Sequence, residues 1–475
     1  LQQNLLARLE HLPITNFHWI FLLTIFIGTA YDFSDQVTLS FVIPEYSKEW
    51  GLSPLVTRVH PMLGITGTII GAFLFGRVAD KIGRRNAFLV TLLIFSATSG
   101  LNGFAPADPA IGFPWVVMNC FIMGMGVGGE IPLGFTLISE YLPARVRGRA
   151  EILIGMLAIT GGYIIAAGAA YLFLPYEGMY FGPIPLGWRT IFFISAFPAA
   201  LAAVIRLYVP ESPRYLLSKG KIQEAIRVLR RLGGRAFDGF VGDIFETEGS
   251  GPSSGLVVES TRRHRVSDIW RDYLRGRSGL AWTYSWLGQF FVLGFLVWLP
   301  TYLARLGYIT HEASLYTLII NIIAVPSALL TAFLFERWST KKTIGLFSVI
   351  GGLALVALGI SAPHLSPALL IVLGAITMFF AVTVVMGAFP PYVTEIYPTE
   401  LRGTGSGSAV AFGRTGAVTG IFMGGWILAS GLASLALPLT FGLPIIAAGI
   451  LVALFGIETR RKRLEEISPG VPRSS

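Results

Sequence analysis

SEYLPARVRGRA, residues 139–150, and TEIYPTELRGTG, residues 394–405, share one skeleton, E-x-x-P-x-x-x-R-G. Its fixed positions are Glu140, Pro143, Arg147 and Gly148 in the first copy and Glu395, Pro398, Arg402 and Gly403 in the second. Each pair is 255 positions apart (395 − 140, 398 − 143, 402 − 147, 403 − 148). Four identities at one offset mark an internal repeat. Each copy ends one long apolar run just before the next begins. A second echo sets AFLFGRVADKIGRR, 72–85, against AFLFERWSTKKTIG, 332–345. The chain is therefore expected to be two similar halves.

Composition says what the halves are made of. Of 475 residues, 53% are hydrophobic and only 13% charged, about half the charged share usual in soluble domains. The 55 glycines also suit membrane helices, where glycine is more common than in soluble ones. Crossing the hydrocarbon core takes about 20 apolar residues. Twelve runs meet that need: 17–44, 57–79, 86–105, 112–142, 148–174, 187–208, 279–305, 312–336, 342–361, 366–395, 402–430 and 434–457. Ten-residue alternating segments, the mark of membrane strands, are not seen. The expected fold class is an all-α integral membrane protein. Twelve transmembrane helices form two six-helix pseudo-symmetric bundles, the architecture of many secondary transporters. The expected divisions are an N-terminal bundle at 1–210, a connector with short amphipathic helices at 211–278, a C-terminal bundle at 279–460 and a tail at 461–475.

The net charge of +9 does not point to nucleic acid, because the basic residues cluster in alternate short loops. Arg77, Lys81, Arg84 and Arg85 lie in one, Arg145, Arg147 and Arg149 in another, then Arg337, Lys341 and Lys342, Arg402, and Arg460 to Arg463. The positive-inside rule makes those loops cytoplasmic and puts both termini there. The connector opens with the basic, amphipathic SKGKIQEAIRVLRRLGG and continues through the linker-like ETEGSGPSSG. No cleavable-signal pattern precedes the first run, which is long enough to act as its own insertion signal. Cys120 is the one cysteine, so no intrachain disulfide forms, and it reads as a small buried hydrophobe.

The charges inside the apolar runs carry the function. GTAYDFSDQVTLSF, 28–41, holds Asp32 and Asp35 at i and i+3, so they share a helix face. A charge at the bilayer centre costs about 3 kcal/mol even on lenient scales, so that face is expected to point inward. Low dielectric and mutual repulsion disfavour ionising both, which makes one a candidate proton carrier. Glu130 lies ten residues before Glu140, about 15 Å in from the helix end. Arg414 lies twelve residues after Arg402, about 18 Å in. An acid in one half and a base in the other, at similar depth, could meet across a cavity. Arginine suits a substrate carboxylate because its planar fork binds bidentately. The seventh run holds Tyr284, Trp286, Gln289, Phe290 and Trp298. Aromatic walls with one cation suit a flat ring bearing a carboxylate. Glycines 403, 405, 407 and 413 in the eleventh run and 161, 162 and 168 in the fifth are expected at a moving interface.

GRVADKIGRR, 76–85, with Gly76, Asp80, Gly83, Arg84 and Arg85, resembles the G-x-x-x-D-[RK]-x-G-R-[RK] loop of the major facilitator superfamily. VPESPRYLL, 209–217, and GIETRRKR, 456–463, are similar to its sugar-porter-like branch. There such elements form a cytoplasmic charge network that latches the halves, which implies a gate of Asp80, Arg84, Glu140, Arg147, Glu211, Arg214, Glu395 and Arg402. GGEIP with SGSAVAFGRTGA resembles the niacin transporters and synaptic-vesicle-2-related carriers, and implies that Arg414 pairs with a substrate carboxylate. The acid after Tyr31, Asp32, falls where proton-coupled members take the proton. Asp32 and Asp35 also resemble the D-G-x-D element of aromatic-acid symporters, with Phe33 in place of glycine. Three departures stand out: Cys120 where proton-coupled sugar porters often carry arginine, Thr340 where the 72–85 echo would put the counterpart of Asp80, and a single Gln289 in place of a double-glutamine sugar element.

The expected function is proton-coupled secondary active transport, by alternating access, of a small organic acid, with a niacin-like aromatic carboxylate the best fit. Asp32, Asp35 and Glu130 would handle protons. Arg414, Gln289, Tyr31, Tyr284, Trp286, Phe290 and Trp298 would bind substrate. The expected partners are the substrate, protons and the lipid bilayer, with a monomer in a bacterial or archaeal inner membrane. No metal and no cofactor beyond the proton gradient is expected. An enzyme is disfavoured, since aspartyl chemistry needs two acids about 3 Å apart, normally from two helices, and both aspartates lie on one. A sugar, polyol or organic-cation carrier stays open, as does a non-transporting sensor with a transporter fold.

Overall fold

The computed structural model describes residues 13–176, 179–181, 184, 185, 187–233, 266–270, 274–361, 364, 366–398, 401–430 and 433–460. The expected linker at 246–255 and the tail at 461–475 lie outside the described residues. The first span is Asn16–Trp50, the second Pro54–Thr57 with Val59–Ile82, the third Arg84–Asn102, the fourth Pro109–Tyr141 and the fifth Ala144–Phe173. The sixth is Trp188–Ser195 with Ala199–Tyr208, and Pro213–Ser218 and Ile222–Gly233 follow it in the connector. The seventh is Leu274–Leu296 with Leu299–Arg305, the eighth Thr310–Ala324 with Ser327–Arg337, and the ninth Thr340–Ser361. The tenth runs from Pro367–Ile376 through π-wound turns to Phe389–Glu395, the eleventh is Arg402–Ala429 and the twelfth Ala433–Phe455.

Eight of these are long and apolar enough to cross a membrane unaided, and the seventh joins them as a pair bent by 49°. The other three depart from a plain apolar rod. The third opens on Arg84 and Arg85, the sixth breaks at Pro198, and the eleventh carries Arg414 among eight glycines. The protein is thus a twelve-span membrane protein whose spans are all helical, as expected. The seventh span begins at Leu274, earlier than 279, with Arg277 donating to the Ile396 carbonyl at 3.0 Å. A short antiparallel hairpin, Tyr180–Phe181 with Ile184–Pro185, joins the fifth and sixth spans and was not foreseen.

The repeat becomes physical in the pairing. Spans one and five, two and four, and three and six pack together; so do seven and eleven, eight and ten, and nine and twelve. Within lipid, helices gain little from burying apolar surface, so close backbone packing holds them. A Cβ on Gly67 would lie 2.2 Å from the Phe121 carbonyl oxygen, and one on Gly71 2.0 Å from that of Met125. In return, a Cβ on Gly124 or Gly128 would lie 2.1 Å from the Gly64 or Thr68 carbonyl oxygen. Spans two and four therefore touch backbone to backbone. The glycines expected at a moving interface have a different place. Gly162 packs on Ala30 and Ser34 of the first span, Gly413 on Ser285 of the seventh, and Gly405 on the Tyr397 ring, while Gly168 and Gly407 meet open space. Among the described ones, those that touch anything bind helices within one bundle.

The second echo is corrected. The second span ends at Ile82 and the eighth at Arg337, an offset of 255 (337 − 82). The AFLF echo runs at 260 (340 − 80). Thr340 therefore stands opposite the pair Arg84 and Arg85 (340 − 84 = 256 by the helix starts, 340 − 85 = 255 by the helix ends), not opposite Asp80. The hydrogen bonds agree. The Arg85 amide donates to Glu211 Oε1 at 3.1 Å, and the Thr340 amide donates to Glu458 Oε1 at 3.0 Å. In each half an acid from beyond the last span caps the start of the third helix, whose free N–H groups and dipole favour negative charge.

Burial pushes the Glu458 carboxyl up, but hydrogen bonds from Ser339, Thr340 and the Arg460 amide outweigh it and hold the group below its ordinary value of 4.5. A carboxyl held low in the fold stabilises it above the unfolded value and loses that contribution as pH falls through the folded one. Glu458→Gln is expected to cost about 1 kcal/mol near neutrality, after allowance for its partial exposure. The melting-temperature gap between variant and parent should shrink as pH drops below 4.5. Melts of both proteins across pH check this; a gap unchanged in acid removes the cap from the account.

Candidate transport site

Asp32, Asp35 and Glu130 are 0%, 0% and 1% exposed, so all three face the interior of the first bundle. Their surroundings differ. Asp35 Oδ1 accepts from the Ser99 hydroxyl of the third span at 2.8 Å, and Ser195 of the sixth lies beside it. None of the four carboxyl oxygens of Asp32 and Glu130 has a hydrogen-bond partner. Glu130 reaches the first span because Gly28 stands there; a Cβ at that position would be 3.1 Å from Glu130 Oε1. Cys120 is buried, its sulfur 2.7 Å from where a Gly64 Cβ would sit. It occupies the interior as a small hydrophobe.

In the second bundle, Arg414 is partly buried and its Nη1 is enclosed with no hydrogen-bond partner. The seventh span lies close against this helix, since a Cβ on Gly416 would be 2.3 Å from the Trp286 carbonyl oxygen. Trp286 stacks on Phe290 at 5.2 Å and 13°, and Phe290 meets Phe441 at 5.0 Å. Gln289 gives its amide N–H to the Met386 sulfur at 3.5 Å, and its Oε1 is buried without a partner. It lines a cavity with Ser285, Phe389, Ala409 and Gly413.

Three residues expected at the substrate have protein partners of their own. The Tyr284 hydroxyl is hydrogen-bonded to Ser348 Oγ at 2.7 Å, and its ring is 4.0 Å from Phe389. It fastens the seventh span to the ninth and tenth. Two residues are about 200° of helix rotation, so Tyr284 and Trp286 cannot share a face. Trp298 Nε1 donates to the Ile421 carbonyl at 3.0 Å and pins the seventh span to the eleventh. Tyr31 is partly buried and its ring lies 5.9 Å from that of Phe197 of the sixth span. Nor do acid and base meet across the halves: with every oxygen of Asp32 and Glu130 unbonded, neither is hydrogen-bonded to Arg414.

The end away from the basic loops is closed. One stripe of the eleventh span, Val410, Arg414, Val418, Ile421 and Gly425, follows the helical period. Val410 is 48% exposed, whereas Ile421 is fully buried and lines a cavity with Gln36, Thr68 and Cys120 of the first bundle. Next to it the Arg58 guanidinium carbon sits 4.1 Å over the Phe422 ring, and a Cβ on Gly425 would be 3.1 Å from Arg58 Cβ. Tyr171 stacks on His311 at 4.3 Å, again between the bundles. Neither Arg58 nor this stack was foreseen; an arginine at the start of the second span was the available signal.

At the basic end, Arg84 Nε lies 3.5 Å from Glu140 Oε1. Gly83 has φ +100°, and a Cβ there would strike Glu211 Oε2 at 2.2 Å, so only glycine serves. The Tyr215 hydroxyl donates to the Lys81 carbonyl at 2.9 Å. Arg84, Glu140 and Glu211 thus meet within the first bundle. Arg214 opens the connector and Glu395 ends the tenth span. Asp80, Arg147 and Arg402 lie on helices, but their side chains are outside the described ones.

Two bundles of like pattern, buried charge inside each and contacts that join them at one end define a membrane transporter built for alternating access. A family model described as sugar (and other) transporter matches residues 21–470, and the chain belongs to that family, within the major facilitator superfamily. Its members are transporters, not enzymes. The niacin transporter NiaP of Acinetobacter baylyi is 30% identical over 468 residues, covering 98% of this chain and 99% of the relative. The gallate transporter of Pseudomonas putida is 28% identical over 459 residues, with 94% of each covered. The 4-hydroxybenzoate transporter PcaK of Acinetobacter baylyi is 26% identical over 430 residues, covering 89% and 87%. The inward open structure of the xylose transporter XylE from E. coli shares the fold, with a TM-score of 0.72 at 20% identity over 94% of this chain and 98% of that one.

Proposed function

We propose that this protein carries a small aromatic carboxylate of the nicotinate kind together with a proton. The observation that supports it is Arg414: a guanidinium deep in the second bundle, with a buried N–H that nothing accepts. An enclosed cation without an anion is costly, and a substrate carboxylate supplies what it lacks. The Trp286–Phe290 stack beside that helix offers a flat apolar wall for the ring. Relatives named for niacin, gallate and 4-hydroxybenzoate point the same way, since each of those is a ring bearing a carboxylate. The buried acids of the first bundle would carry the proton, so one anion and one proton cross with no net charge. The proton gradient is then the drive, with no bound cofactor. The positive-inside rule sets the basic loops and both termini in the cytoplasm of a bacterial inner membrane, and the closed end then faces outward. The carrier works as a monomer.

Uptake of labelled nicotinate into proteoliposomes tests this. Unlabelled nicotinate and 4-hydroxybenzoate should compete, and a hexose or choline should not. Competition by choline alone would assign an organic-cation carrier, and competition by hexose alone a sugar carrier.

A further inference from the structure

We infer that Asp32 and Glu130 form one shared proton site between the first and fourth spans, and that Asp35 is a positioning acid beside it. This rests on the proton-coupled reading above and divides its labour. The three acids are equally buried but not equivalent. Asp35 is tied to the third span through Ser99. Asp32 and Glu130 have four enclosed oxygens and no donor from the protein. The fold brings Glu130 to that place beside Gly28, one helical turn before Asp32, where a Cβ would crowd Glu130 Oε1 at 3.1 Å.

Among the described residues, no cation is hydrogen-bonded to these acids. Phe88 of the third span lies beside Gly28 and Glu130. Ser195 of the sixth span and Cys120 of the fourth face Asp35. Tyr163 of the fifth lines a cavity further along, with Val37 and Ser40. Two ionised carboxylates facing one another in a dry interior are untenable. One proton resolves the problem: the protonated partner's O–H donates to the other's oxygen, and the pair carries a single charge. A second proton makes it neutral. Loading and unloading that second proton is the step that transport uses. This also accounts for Cys120 where an arginine would otherwise neutralise the acid: the counter-group here is a second carboxyl that shares the proton.

Two measurements on the purified full chain test the inference separately from the transport reading. In infrared difference spectra at neutral pH, the parent should show a protonated-carboxyl band. It should vanish in both Asp32→Asn and Glu130→Gln, since the new amide then donates to the remaining carboxylate. Asp35→Asn should keep it. A band lost in Asp32→Asn but intact in Glu130→Gln means Asp32 holds the proton alone, and the shared site is wrong. In proteoliposomes, one pH unit should sustain about tenfold accumulation of nicotinate in the parent. Glu130→Gln should lose it, while a monodisperse elution peak and a melting temperature like the parent's control for folding. Gly28→Ala, which crowds Glu130 without removing it, should lie between. Full accumulation in Glu130→Gln overturns the inference. A parent that shows the shared band but no accumulation overturns proton coupling and leaves the pair standing.

Discussion

Arg414→Ala is expected to lower nicotinate uptake by roughly 30- to 150-fold, the equivalent of about 2–3 kcal/mol for a buried carboxylate losing its cation. Arg414→Lys should recover only part, because a point charge replaces a bidentate fork. The informative comparison is with nicotinamide, which keeps the ring and replaces the carboxylate with a neutral amide. Any residual transport or binding of nicotinamide should change by no more than about threefold in either variant, since only the charge-assisted contact is lost. Direct binding by thermal shift or calorimetry separates this from a defect in movement. Equal losses for the acid and the amide would mean that Arg414 supports the bundle rather than the substrate. Among the described residues no protein carboxylate hides the effect: Arg414 Nη1 has no hydrogen-bond partner, and Asp32 and Glu130 are not bonded to it.

Gly71→Ala should be among the most damaging glycine substitutions of the described residues. The added Cβ would lie 2.0 Å from the Met125 carbonyl oxygen, 2.6 Å from its carbon and 2.7 Å from its Cα. All three are backbone atoms of the fourth span, so no side chain can swing away. Spans two and four would have to separate along their length, undoing the interlock at Gly67, Gly124 and Gly128. The expected cost exceeds about 3 kcal/mol, read as loss of a monodisperse detergent-solubilised peak. Gly76→Ala is the matched control on the same span, because a Cβ there meets nothing within 4 Å. If both variants behave alike, the backbone interlock is not what holds this pair.

The registers of the two repeats show where reading the sequence stopped. E-x-x-P-x-x-x-R-G and the helix ends agree at 255, but the longer AFLF identity sits at 260 and misplaced Thr340. Similar apolar strings recur by composition alone, whereas a helix start is marked by what caps it, and the caps come from Glu211 and Glu458, over a hundred residues away. Tyr284 and Trp298 were read as substrate contacts because aromatics in a membrane helix look alike in one dimension. Their hydroxyl and indole N–H are bonded to Ser348 and Ile421 instead.

From the sequence alone came the number of spans, the doubling, the inward orientation of Asp32, Asp35 and Glu130, and the transporter class. These follow from constraints that act residue by residue: the thickness of the hydrocarbon core, and the cost of leaving a charge or an unpaired backbone group in it. Only the tertiary structure decided which acid had a partner, that Gly28 admits Glu130, and that the halves meet through Arg58 and Phe422 at one end. Those outcomes depend on how each helix is rotated about its axis and how near its neighbour comes. Both are set by contacts between residues far apart in the chain, which hydropathy and spacing do not encode.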